Sequence, residues 1–121
     1  MNLLHLSTEK TWRGGENQIF LLAKGLREKG IICHAGFPSS AEALEPFRKA
    51  QFPTLELSSK SPLDPQNVFK LRNYCLKQNI QLVNTHSSGA HSLALLVKIF
   101  LPHLKIVVHR RVAFPPSGGY F

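Results

Sequence analysis

Three short segments of this 121-residue chain carry residue types that could bind an anion or move a proton. The first spans residues 7–15, ends in Gly14-Gly15 and contains Lys10 and Arg13. Adjacent glycines let a ligand approach the backbone without interference from a Cβ atom. The free N–H groups and the dipole of a helix beginning after them would favour an anion, as would the two cations. The same glycines are also consistent with a tight strand-to-helix turn.

The second segment, residues 84–91, contains two histidines. His86 lies just past an apolar run, and His91 lies about one turn into a predicted helix. Because imidazole titrates near neutral pH, His86 can act as an acid or base, or hydrogen-bond a sugar hydroxyl. A histidine that packs in the core or caps a helix is the alternative. We rank His91 below His86 as a functional candidate.

The third segment is the basic run His109-Arg110-Arg111. One arginine can clamp a phosphate or carboxylate through two parallel hydrogen bonds, although a solvated basic turn has the same composition. Acidic side chains are scarce in these loops, where Glu9 and Glu16 are the only ones. Because paired carboxylates, a Ser-His-Asp arrangement and a metal-ligand cluster are all missing from the sequence, we expect neither a metal nor a cofactor.

Alternating strands and helices must position these segments. Apolar periodicity predicts that Gly30 ends the first helix, that Ser39 or Ser40 caps the second and that Asp64 with Pro65 starts the third. The fourth helix is apolar nearly all round, so we expect it to be well buried. The predicted strands cover residues 2–6, 31–37, 54–57, 81–85 and 105–109. The four predicted helices run from about 16 to just before 30, from about 40 to 50, from 65 to about 79, and from about 89 to 101.

Such alternation predicts one α/β domain over residues 1–121, a Rossmann-like doubly wound parallel sheet with strand order 3-2-1-4-5. Ligands of such sheets bind at the carboxyl ends of the strands where the strand order reverses, which here lies between strands one and four. The first two segments would meet there. A fifth strand without a further neighbour leaves an open edge, so we expect a chain truncated after strand five that is able to pair with another chain.

Charge and composition limit the kinds of partner that the chain can bind. The net charge is +8 with histidines neutral, and the basic residues are scattered. A positive surface attracts nucleic acid, anionic lipid or phosphorylated small molecules. The sequence shows no aromatic residues in a basic groove on which bases could stack, so we do not expect a nucleic acid partner. Cys33 and Cys75 lack zinc-site spacing and read as buried thiols. With no secretory signal and no apolar run long enough to span a bilayer, we expect a cytoplasmic protein, in peripheral contact with the inner membrane.

The residues quoted above also resemble a known family. Residues 3–18, with the run Trp12-Arg13-Gly14-Gly15-Glu16, are similar to the start of many bacterial family-4 (group 1) glycosyltransferases, which are retaining enzymes of the two-domain GT-B type. Residues 83–88 and 107–115 resemble two later stretches of the same enzymes. The resemblance runs through the whole chain in order but covers only about the first third of such an enzyme, its N-terminal, acceptor-side domain.

The resemblance implies specific roles. Gly14 and Gly15, with Arg13, would bind the diphosphate of a nucleotide-diphospho-sugar donor, and His86 would be the catalytic residue contacting the transferred sugar. Arg110 and Arg111, together with Glu16, would line the acceptor side, where a lipid-linked or cell-envelope glycan binds. The family's second domain, with its Glu-x7-Glu element, is missing here, so we expect the chain alone to be inactive. The alternative is a non-catalytic Rossmann-like binding module that pairs with another chain.

Overall fold

The computed structural model describes residues 1–10, 14–59, 61 and 63–108, and for residues 14–16 the backbone only. Strands and helices alternate throughout this part of the chain, as predicted. The element bounds are β1 (Asn2–Leu6), α1 (Gly14–Glu28), β2 (Ile32–Pro38), α2 (Leu44–Lys49), β3 (Thr54–Leu57), α3 (Pro65–Lys77), β4 (Leu82–Thr85), α4 (Ser88–Phe100) and β5 (Lys105–Val108).

The five strands form one sheet in the order β3-β2-β1-β4-β5, with every neighbouring pair parallel, so the predicted topology is confirmed. β1 lies in the middle, and its last residue, Leu6, is level with Gly36 of β2 and Thr85 of β4. The loops after these strands therefore leave the sheet at the same edge. Close packing also explains Gly36, because a Cβ atom there would lie 2.9 Å from Cδ1 of Leu6.

The sheet separates two apolar cores. One core joins the sheet to α1 and α2, and contains a chain of ring contacts from Phe37 through Phe47 to Phe52. The other joins the opposite face to α3 and α4. Each fully buried aliphatic or aromatic side chain contributes about 1.5–3 kcal/mol, so these two clusters supply most of the stabilisation. Leu4, Leu6, Leu71, Val83, Leu93 and Val97 are among the buried members of the second core.

Local signals fix several helix ends as expected. Asp64 caps α3 by accepting a hydrogen bond from the backbone N–H of Gln66 at 2.9 Å, and Pro65 is the first helical residue. Past the end of α3, Asn79 adopts a positive φ of 55°. Past the end of α1, Gly30 does so at 88°, the left-handed conformation that glycine adopts without steric cost.

The start of α2 differs from the prediction. The helix begins at Leu44, and its N-cap residue, Ala43, makes no side-chain cap hydrogen bond, so capping by Ser39 or Ser40 is wrong. The reason is that residues 39 and 40 form a turn after β2, in which the N–H of Ser39 donates to the carbonyl of Leu57 at 2.8 Å. Both serine hydroxyls contact Oγ of Ser59 and not a helix N–H.

The burial of α4 also differs from the prediction. The face toward the sheet is buried, with Leu93 and Val97 fully enclosed. The outer face is exposed, and Ile99 and Phe100 keep 71% and 58% of their surface accessible. A helix in the outer layer has only one side to pack against the sheet, so apolar residues around its whole circumference cannot all be buried. Within the described ranges, no helix combines the length and apolar character needed to cross a bilayer.

Both cysteines are free and buried, one in each core, as expected. Burial raises the pKa of Cys33 to about 11 and that of Cys75 to about 12. Because the thiolate is the reactive form, both side chains act as small apolar residues.

His34 is a buried polar residue of β2 that faces α3. Its Nδ1 lies 2.7 Å from the hydroxyl of Tyr74, and its Nε2 lies 3.1 Å from Oδ1 of Asn2. Since the Asn2 oxygen can only accept, Nε2 carries the proton and the Tyr74 hydroxyl donates to Nδ1. Burial also lowers the pKa of His34 below its ordinary value of 6.5, so the neutral ring is the native form.

We expect the free energy of unfolding to fall as the pH drops below about 6.5, because His34 then binds a proton more readily in the unfolded chain than in the native one. This contribution is fully present above the unfolded pKa and is lost at lower pH. Urea denaturation between about pH 7.5 and 5.5 should show that the free energy of unfolding depends less steeply on pH in His34→Gln than in the wild type. His103→Gln, at an exposed position, should keep the wild-type dependence. Equal slopes in all three proteins would contradict the assignment.

Candidate functional site

The candidate site lies where β1 and β4 end side by side. The N–H of His86 donates to the carbonyl of Leu6 at 2.9 Å, so the parallel pairing continues one residue beyond β4. This contact places His86 at the carboxyl edge of the sheet, at the reversal of strand order. Open α/β sheets bind their ligands in this position.

A second histidine lies beside His86. Nδ1 of His5 is 3.1 Å from Nε2 of His86, and the ring centroids are 5.3 Å apart. His5 belongs to β1 and is fully buried, whereas His86 is partly exposed. Sequence reasoning missed His5, because a histidine within an apolar run looked like an interruption of that run. The sequence signal for His5 was the alternation of side chains along β1, which places it on the same face of the sheet as Leu3 and Ala35.

The two imidazoles form a directional pair. A hydrogen bond between ring nitrogens requires that one be the donor and the other the acceptor, so the tautomer of His5 fixes the tautomer of His86. The buried ring thereby orients the exposed one and decides whether its remaining nitrogen donates or accepts. A partly exposed imidazole held in one orientation can hydrogen-bond a hydroxyl group or transfer a proton near neutral pH.

Two more buried polar atoms belong to β4 and α4. Asn84 is in register with His5 on the neighbouring strand and is 8% exposed, and its buried Oδ1 has no hydrogen-bond partner among the described residues. Nδ1 of His91, in the first turns of α4, is also buried without a partner in this part of the chain. A buried polar atom without a partner costs about 1–3 kcal/mol and is typical of sites that a ligand or water completes.

Ser87 connects the two loops. Its Oγ accepts hydrogen bonds from the backbone N–H of Ala90 at 3.2 Å and from that of Thr8 at 3.0 Å, and lies 2.9 Å from Oγ1 of Thr8. The first contact caps α4, and the other two hold the loop after β1 against the loop after β4. One side chain therefore fixes the mutual position of the two segments that carry the candidate residues.

The glycine pair begins the first helix. α1 starts at Gly14, two residues earlier than predicted, so Gly14 and Gly15 form its first turn. The free N–H groups of that turn follow the loop after β1, at the same edge of the sheet as His86. Glu16 also lies in the first turn.

The remaining predicted site residues are basic. Arg13 lies outside the described residues, and so do Arg110 and Arg111. β5 ends at Val108, level with Thr85 of β4. Among the residues that the structure describes, no group of three or more histidine, cysteine or acidic side chains could hold a metal ion.

Comparisons with known proteins place this arrangement among glycosyltransferase folds. No protein-family model and no curated protein matches the chain. MurG from Acinetobacter baumannii superposes with a TM-score of 0.75 at 10% identity, covering 90% of this chain and 34% of the MurG chain. A glycosyltransferase from Rickettsia africae ESF-5 superposes with a TM-score of 0.69 at 17% identity, covering 88% of this chain and 28% of its own.

The chain therefore has a Rossmann-like, glycosyltransferase-like fold. At these identities the likeness concerns the fold and not the chemistry. The chain spans about a third of the length of each of these two structures.

We expect Ser87→Ala to lower the free energy of unfolding by about 1–2 kcal/mol, because it removes the cap of α4. It should also loosen the loop after β1. Hydrogen exchange should become faster at the amides of Thr8 and Ala90, whose acceptor is lost. Ser92→Ala, at an exposed position within α4, provides the matched control and should leave these rates unchanged. Unchanged exchange of Thr8 in Ser87→Ala would show that Ser87 does not hold the loop.

Proposed function

We propose that this chain is the N-terminal, acceptor-side part of a glycosyltransferase that moves a sugar from a nucleotide-diphospho-sugar to a lipid-linked or cell-envelope glycan. The proposal is supported by the His5–His86 pair and by the start of α1 after β1, both of which belong to the carboxyl edge of the sheet. Sugar transfer from such a donor needs both features, since it requires a group that holds the sugar and a group that receives the departing diphosphate.

The departing diphosphate would be stabilised at the start of α1. Charge develops on its oxygens as the bond to the sugar breaks, and the N–H groups of Gly14 and Gly15 would meet that charge together with Arg13. Because these glycines carry no Cβ, the phosphate oxygens can approach the backbone closely. In this proposal the reaction retains the configuration of the sugar and requires neither a metal nor a cofactor.

His86 would hold the transferred sugar. Its Nε2 is held by Nδ1 of His5, so its other nitrogen, Nδ1, which is buried, would bond one sugar hydroxyl that enters beside it in a fixed direction. Asn84 supports the same role, because its amide oxygen is an acceptor without a donor among the described residues. Arg110, Arg111 and Glu16 would line the acceptor side.

The groups that grip the nucleotide are assigned to a second domain. The two solved structures compared above are each about three times as long, which supports the assignment. A chain that lacks the second domain cannot close a cleft around the donor, and we expect it to show no turnover.

The first test is the coding sequence that follows Phe121. We expect it to encode a second Rossmann-like domain with a Glu-x7-Glu element, and the joined protein to release a nucleoside diphosphate from a nucleotide-sugar when a lipid-linked acceptor is present. A reading frame that encodes no such domain would overturn the proposal for this gene.

In that longer protein we expect His86→Ala to lower kcat by about 100-fold, because His86 is the ring of the pair that is partly exposed. His103→Gln, in the exposed turn before β5, should retain the wild-type kcat. Both variants should unfold at similar temperatures, which separates a chemical loss from a loss of folding. A kcat within threefold of the wild type in His86→Ala would remove the residue from the mechanism.

We further propose that the protein is cytoplasmic and binds an anionic membrane surface through α3 and α4. These adjacent helices expose apolar residues, including Phe69 and Leu76 on α3 and Ile99 and Phe100 on α4. Phe69 and Leu76 are seven residues apart, as are the exposed Lys70 and Lys77 beside them, so apolar and basic stripes run along α3 together. Apolar side chains next to lysines fit a bilayer with anionic headgroups.

We expect the chain to sediment with vesicles that contain phosphatidylglycerol more than with pure phosphatidylcholine vesicles, and salt should weaken this binding. The double variant Ile99→Ser/Phe100→Ser should lose most of it. Leu21→Ser alters an exposed leucine on α1, across the sheet, and should bind as the wild type does. Equal sedimentation of both variants would contradict a membrane role for α4.

The edge strand supports a second candidate function, a non-catalytic module that pairs with another chain. Within the described residues β5 pairs only with β4, and Val107 and Val108 are 45% and 44% exposed. An open edge of this kind can accept a strand from a neighbour. Light scattering separates the two functions, since a stable monomer excludes self-pairing through β5.

A further inference from the structure

A cavity lies at the carboxyl edge of the sheet, beyond β1, β2 and β3. It has a volume of about 90 Å³ and is lined by Thr8, Lys10, Pro38, Leu57, Ser58 and Ser59, among others. Thr8 joins it to the loop after β4 through the hydrogen bonds to Ser87. The cavity is therefore a neighbour of the His5–His86 pair but is built from different residues.

Ser59, which lines this cavity, belongs to a cluster of serine hydroxyls. Oγ of Ser59 lies 3.1 Å from Oγ of Ser39 and 2.9 Å from Oγ of Ser40, and it accepts a further hydrogen bond from the N–H of Ser40. Oγ of Ser59 has two lone pairs and already accepts the N–H of Ser40, so it must itself donate in one of the two hydroxyl contacts, and the proton that remains free belongs to Ser39 or Ser40.

The wall of the cavity is held in shape by Asn67. This side chain is 1% exposed, and its Oδ1 accepts from the N–H of Ser58 at 2.7 Å. Its Nδ2 donates to the carbonyls of Ser58 and Ser61 at 3.3 and 2.9 Å. The loop between β3 and α3 is thus fixed by a buried amide, and a site that is formed before binding loses less entropy when a ligand arrives.

The charge at the rim of the cavity indicates which kind of ligand it binds. Lys10 is exposed at the rim, and its backbone carbonyl accepts the N–H of Glu42 at 2.8 Å, which anchors it there. No ion pair to Lys10 is formed within the described part of the chain, and none of the described lining residues carries a carboxylate. Hydroxyl donors beside an ammonium group favour an anion with several oxygens.

We propose that this cavity binds a tetrahedral oxyanion of the phosphate class. At 10–15 Å³ per water-sized sphere, the volume corresponds to roughly six to nine such spheres, enough for the four oxygens of a phosphate. Lys10 supplies the positive charge. Thr8 supplies a hydroxyl donor, because Oγ of Ser87 already accepts two backbone N–H groups and must donate in its contact with Oγ1 of Thr8. The oxyanion is either free inorganic phosphate or the phosphate of an ester, and both present the same oxygens to these groups.

Titration of the ¹⁵N-labelled chain with inorganic phosphate, at constant ionic strength, tests the site. We expect saturable shifts of the backbone amides of Lys10, Ser40 and Ser59. Lys10→Gln should weaken binding by about tenfold, because a charged hydrogen bond is lost. Lys29→Gln, at an exposed position past the end of α1, should leave it unchanged.

Shifts that do not saturate would overturn the proposal, and so would equal losses in the two lysine variants. A parallel titration with glycerol 3-phosphate identifies the source, since tighter binding than that of inorganic phosphate assigns the site to an ester, and equal or weaker binding assigns it to the free ion. His86→Ala should bind phosphate as the wild type does, so this result is independent of the proposed sugar transfer.

Discussion

The parallel pairing of β1 with β4 is the constraint on which the rest of the molecule depends. It puts two strands that are distant in sequence side by side at the centre of the sheet, with Leu6 level with Thr85. The register brings Nδ1 of His5, on β1, to 3.1 Å from Nε2 of His86, in the loop after β4. A shift by one residue would turn His5 to the opposite face of the sheet and separate the pair.

The connections on either side of this pairing explain why polar chemistry collects at one edge. Right-handed crossovers carry the chain to β2 and β3 on one side of β1 and to β4 and β5 on the other, so strand ends on both sides open toward solvent at the same level. The carboxyl edge then combines the first turn of α1, the histidine pair and the serine-lined cavity. These three features differ in chemistry but lie next to one another because they follow strands that run in the same direction.

Much of the fold follows from local patterns in the sequence, whereas the site depends on contacts between distant residues. The strand order, the cap of α3 at Asp64 and the end of α1 at Gly30 were predictable because each rests on neighbouring residues or on general rules of chain connection. The start of α2 was not, since Ser39 bonds to Leu57 across the sheet and not to the helix. His86 was identified from its position after a strand, but its partner His5 is 81 residues away and becomes visible only once the register is known.

The division of the core by the sheet has a consequence for motion. Among the described residues, the cluster around Phe37 and Phe47 shares no side chain with the cluster around Leu71 and Leu93, and the sheet backbone lies between them. Helices that rest on separate clusters can detach as separate cooperative units, each with its own free energy of opening. Partial opening of α1 and α2 would then uncover the glycine turn while α3, α4 and the cap at Ser87 stay in place, so the two rims of the crevice can differ in rigidity.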